Sequence, residues 1–127
     1  MIVKKVFKLF LALFLFTTFF SCEYEEMIPP STLPENVSFK NDIIPLFNQS
    51  CNAIGCHNEG GISPDLSEAN AYNDILDNNL VDFNNAENSI LYMRMIDVLS
   101  PMPMLGILSE TQTNKVLVWI REGAINN

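Results

Sequence analysis

From Ser38 onward, apolar positions gather into four short clusters separated by polar stretches rich in Asn, Gly and Pro. In the first, Phe39, Ile43, Ile44 and Phe47 recur at helical spacing. They predict a helix from about Asp42 to Ser50, with Asp42 as its cap and Pro45 in the first turn, where backbone donors have no intrahelical partner. That helix delivers Cys51 at its end. Ala71, Tyr72, Ile75 and Leu76 predict a second, short helix capped by Ser67. Ser89 caps a third through about Ile96, with Ile90, Leu91, Met93 and Met95 among its apolar residues. The fourth is the best defined: Ser109 and Gln112 form a capping box, Val116, Leu117 and Ile120 make an apolar stripe with Trp119 beside it, and Gly123 supplies the stop.

Three loops join these helices. Residues 58–64 contain Gly60-Gly61 and predict an irregular loop beside His57. The stretch from Asp77 to Asn88 is polar, with Val81 and Phe83 expected to tuck inward. From Ser100 to Gly106 the chain can be neither regular helix nor central strand, because Pro101 and Pro103 lack backbone donors. There is no internal repeat and no sustained alternating pattern. The expectation is an all-α domain of about four short helices with long loops. In a domain this small, loops of that length imply that something other than protein fills the centre.

The start of the chain has a different character. Lys4, Lys5 and Lys8 precede an apolar run from Leu9 through Phe20 that is short for a membrane span and reads as a secretory signal. The run ends in Phe19-Phe20-Ser21-Cys22 and turns acidic at Glu23, Glu25 and Glu26. This looks like a bacterial lipoprotein signal over residues 1–21, with Cys22 carrying the lipid; a signal cut nearby or an uncleaved anchor is the other reading. Residues 22–37, acidic and Pro-rich, then form a flexible tether, and 38–127 the folded domain. Export removes three lysines and leaves Lys40, Arg94, Lys115 and Arg121 against all fifteen acidic residues, a net charge of −11. Such a surface repels phosphate backbones, which excludes nucleic acid as a partner class. The expected location is the cell envelope, lipid-anchored in the outer membrane and facing periplasm or surface.

With Cys22 assigned to lipid, Cys51 and Cys56 remain as a pair in an oxidising compartment. Cys56 is followed directly by His57, the chain's one histidine. Two cysteines followed by histidine is the arrangement that attaches c-type haem, the thiols bonding covalently and the histidine coordinating iron. The usual spacing has two residues between the cysteines, and here there are four. A Cys51–Cys56 disulfide in a haem-free surface lipoprotein, acting as a binding or structural module, is the rival reading. With a single histidine, a second iron ligand within the chain must be of another type, and methionine is the common alternative. Met102 and Met104 sit in the Pro-framed loop, where proline lowers the entropy cost of holding a thioether in place. Met102 is preferred and Met104 is second, while Met93 and Met95 read as helix gap-fillers. Cys51, Cys56 and His57 supply only three ligands where a structural zinc site needs four. No acid/base pair, phosphate-binding glycine loop or nucleophile elbow stands out, so the expectation is an electron carrier and not an enzyme.

From Ser38 onward the sequence resembles the small monohaem cytochrome c domains of exported bacterial proteins, of the Planctomycete type. The likeness rests on Phe39, Asp42-Ile43, Pro45, Cys51, Cys56-His57, Leu66-Ser67, Ala71-Tyr72, Ser89-Ile90-Leu91-Tyr92, Met102-Pro103, Gly106, Leu108-Ser109, Trp119-Ile120 and Gly123-Ala124, across about ninety residues. It implies a single haem c, thioether attachment at Cys51 and Cys56, proximal ligation by His57, distal ligation by Met102, and one-electron exchange with redox partner proteins. The two additional residues between the cysteines depart from that pattern. The acidic residues after Cys22 also resemble the signal that sends some Gram-negative lipoproteins to the cell surface.

Overall fold

The computed structural model describes residues 33–104 and 106–127. Four α-helices and two short helical turns form there, with no strand among the described residues, so the domain is all-α. A π-helical turn, Phe39–Ile43, runs directly into α1, Ile44–Ser50. Helix α2 spans Ala71–Asp77, a 3₁₀ turn covers Ala86–Asn88, α3 spans Ile90–Ile96 and α4 spans Glu110–Arg121. The expected signal segment, Cys22 and the part of the expected tether before Leu33 lie outside the described residues. No helix of the described residues is long and apolar enough to cross a membrane.

Helix α4 is the central element, with the π-turn, the 3₁₀ turn and α3 all packing against it. This explains why Val116 through Ile120 are buried without interruption: neighbours on several sides leave that part of the helix no solvent face. Its ends match the sequence expectation. Ser109 Oγ accepts from Gln112 N–H while Gln112 accepts from Ser109 N–H, a complete capping box. At the other end Gly123, at φ +95°, lets its own N–H reach Ile120 O and Ala124 N–H reach Trp119 O, a Schellman closure with Ala124 buried beneath it.

The start of the first helix differs from expectation. Ser38, not Asp42, is the cap: its hydroxyl accepts from Asn41 N–H at 3.1 Å, and the Asp42 carboxylate accepts from Ser38 N–H at 3.1 Å. Asp42 is also paired with Lys115 of α4 at 2.8 Å, and that ammonium, with the Ser38 amide second, holds its carboxyl below the ordinary value. Helical structure persists upstream of Pro45 because the chain widens there, with Ile44 N–H reaching back five residues to Phe39 O. The wider turn relieves the crowding that a proline ring imposes on the turn before it.

Two other details are corrected. The N-cap of α2 is Asn70, not Ser67, and it makes no side-chain cap bond; the entry is organised by Asp65, whose carboxylate accepts from Ser67 N–H and Asn70 Nδ2. Ser89 does precede α3, but it is buried and its hydroxyl accepts from Asp82 N–H. In the preceding loop Val81 packs on the core and Phe83 stays 62% exposed; Ala86 is buried instead.

Phe39 joins the helices. Its ring centroid lies 5.0 Å from Trp119 of α4, 5.4 Å from Tyr72 of α2 and 6.4 Å from Phe47 of α1, the last two edge-on. Polar bonds reinforce the same junction. Asn127 accepts from Lys40 N–H, Ser38 Oγ–H and Phe39 N–H, while the Glu122 carboxylate accepts from Asn36 and Val37 N–H at 2.9 and 3.0 Å. Val37 is itself buried, so the packed domain begins one residue before Ser38. Replacing Phe39 by alanine is expected to cost about 3–5 kcal/mol of unfolding free energy, measured by denaturant titration with Trp119, the lone tryptophan, as fluorescent reporter.

Candidate functional site

Helix α1 ends where its apolar face runs out. Cys51 and Asn52 N–H both close on Phe47 O, at 2.8 and 3.0 Å, which leaves the Cys51 side chain packed against the core. Burial, with the neighbouring Cys56 as a smaller contribution, pushes the Cys51 thiol up to about 11. Both cysteines are free thiols. From Asn52 the chain loops outward, and Cys56 N–H bonds Ala53 O at 2.9 Å around Gly55, whose φ of +82° favours a residue without Cβ. His57 N–H then bonds Cys51 O at 3.1 Å and returns the chain to the helix end. The excursion starts and finishes at the same place.

The segment after His57 folds back over it. Gly61 N–H bonds Asn58 O, Ile62 N–H bonds Cys56 O and Leu66 N–H bonds His57 O, each at 2.7–2.8 Å. This return is possible because residue 61 is glycine: a Cβ there would meet Cys56 O at 2.3 Å and Asn58 Oδ1 at 2.7 Å. The result is a pair of carbonyls aimed at the imidazole, with Ile62 O and Pro64 O each 3.0 Å from His57 Nδ1. Carbonyls only accept, so Nδ1 carries a proton, and in the neutral form of the ring the lone pair is on Nε2. Fixing one ring nitrogen in this way orients a histidine for metal ligation through the other.

Cys51, Cys56 and His57 therefore lie in one hydrogen-bonded turn. Met102 lies on a different segment. That loop opens at Asp97, whose carboxylate accepts from Leu99 and Ser100 N–H and is held below its ordinary value by those two bonds. Met102 N–H then bonds Arg94 O of α3 at 2.9 Å, with Pro101, Met102 and Pro103 half-buried. Met104 is 74% exposed. Of the two helix methionines, Met95 fills the core as expected and Met93 stays half-exposed. Between the end of α3 and the start of α4 is a cleft of about 390 Å³, whose walls include Tyr92, Met95, Val98 and Ile107. Sequence reasoning missed the backbone acceptors on His57 and the roles of Asn58 and Gly61; Gly60-Gly61 was legible only as a loop.

Among the described residues, no three His, Cys, Asp or Glu side chains are grouped to hold a metal ion by themselves. No family model matches the chain, no curated protein matches it and no solved structure matches it.

The elevated Cys51 pKa has a measurable sign. Ionisation of this thiol is disfavoured in the folded state, so its contribution to stability is fully present below the ordinary value of 9.0 and is lost as pH rises toward 11. In the unmodified chain, iodoacetamide labelling of Cys51 at pH 8 is expected to run roughly a hundredfold slower than for an unshifted thiol. Peptide mapping of the alkylated protein, with and without denaturant, measures this.

Proposed function

We propose that this chain is a lipid-anchored, monohaem c-type cytochrome of the cell envelope that carries single electrons between redox partner proteins. The observation that carries the reading is His57, the chain's one histidine, with Nδ1 committed to two carbonyls beside two free thiols. The donor set fits a haem c. Cys51 and Cys56 would hold it covalently, His57 Nε2 would be the proximal ligand, and Met102 the distal one, with Met104 second.

The bound haem supplies a ferric/ferrous couple. The chain's own residues do the rest. His57 is oriented by Ile62 O and Pro64 O, which makes its Nε2 a better donor. The bond from Met102 N–H to Arg94 O limits where that thioether can go. With Met102 as the second ligand the iron would keep no position for a substrate, which fits a carrier and not an enzyme. The net charge of −11 after export steers encounters toward partners with a basic face, and lipid on Cys22 keeps them close to a membrane.

A haemochrome spectrum of the exported protein after denaturing, acidified-solvent extraction is expected to retain the haem bands in the protein fraction. Absence of haem, or haem that washes out, would overturn the proposal. Met102→Ala is expected to abolish the low-spin, methionine-ligated optical signature, and Met104→Ala to leave it intact. The reverse pattern would move the ligand to Met104.

A further inference from the structure

The additional two residues between Cys51 and Cys56 raise the question of how many bonds hold the haem. Resting on the function proposed above, in which both cysteines hold the haem, we propose that Asn58 is the positioning residue that makes the four-residue spacing compatible with two thioethers. In each attachment the thiol adds across one vinyl double bond. A carbon–sulfur bond forms, the S–H bond breaks, and its hydrogen goes to the other vinyl carbon. No oxidant is consumed and nothing leaves.

The geometry takes up the extra length locally. Ala53, Ile54 and Gly55 are all exposed, with Ile54 98% so, and they form the tip of a turn closed by Cys56 N–H on Ala53 O. Such a turn brings its first and fourth Cα atoms within about 7 Å, so added residues extend outward without lengthening the path between the cysteines. The bond from His57 N–H to Cys51 O shows that the path has closed by residue 57.

Asn58 ties this turn to the rest of the site. Its Oδ1 accepts from Gly55 N–H at 3.0 Å, on the far limb of the turn, and its Nδ2 donates to Glu59 O at 2.9 Å. Its backbone carbonyl accepts from Gly61 N–H, the step that starts the return toward His57. One residue thus links the outward turn, which sets the spacing of the sulfurs, to the return segment that orients the imidazole. Without the side-chain acceptor, Gly55 N–H loses its partner, and only the backbone bonds from Cys56 N–H to Ala53 O and from His57 N–H to Cys51 O remain, so the Cys51 to Cys56 spacing is held less tightly. Cys51, packed against the core, cannot follow.

The test counts bonds on the holoprotein. Denatured protein is treated with iodoacetamide and mapped at Cys51 and Cys56, and the haemochrome band, which reports remaining vinyl groups, is compared with Cys51→Ala and Cys56→Ala as single-attachment references. Wild-type protein is expected to have neither thiol alkylated and a band shifted from both references. Asn58→Ala is expected to make most molecules singly attached, with Cys51 the alkylated thiol. Asn58→Asp, which keeps the acceptor, is expected to restore double attachment. An alkylated thiol in wild-type protein, or double attachment in Asn58→Ala, overturns the role of Asn58. A wild-type protein without haem would instead overturn the proposed function itself.

Discussion

The packing of Phe39 on Trp119 is the contact on which the rest of the arrangement depends. It joins the first helical turn to the last helix, and Tyr72 and Phe47 meet the same ring from α2 and α1. A domain of under a hundred residues has little apolar surface to spend, so a junction shared by three helices stabilises more than separate pairs would. Everything at the candidate site hangs from α1, and α1 is held in place through this junction.

A second constraint works on backbone polar groups. The turn from Cys51 to Leu66 has no regular secondary structure, yet its amides close on one another at Ala53, Asn58, Cys56, Cys51 and His57. Small irregular loops hold a shape only when their donors are satisfied internally. Here the carbonyls of Ile62 and Pro64 are left for the imidazole. Local closure thus makes a ligand-orienting cradle out of backbone, which needs neither a long helix nor a sheet.

The extent to which this was legible in the sequence follows from the range of the interactions. Helix α4 could be read almost completely, because capping box, stripe and terminal glycine are all local signals at fixed offsets. Placement of α1 was sound, but its cap was not, since Asp42 is recruited by Lys115, a residue 73 positions away. Phe83 looked like a core residue by type, and its exposure depends on the path of a loop that composition does not encode. At the site, residue types and spacing singled out Cys51, Cys56 and His57. The carbonyls that fix the histidine carry no side-chain signature, and glycine at 61 is informative only once Cys56 O is known to lie against it.

The bonds from Asn36 and Val37 to Glu122 have a mechanical consequence. Tension arriving along the chain that precedes Asn36 meets the Glu122 carboxylate before it meets α1. That carboxylate sits at the end of α4, the most deeply embedded helix of the fold. A pull from that direction therefore loads the end of the most buried helix first. The turn that carries Cys51, Cys56 and His57 lies further along the chain, behind this anchorage.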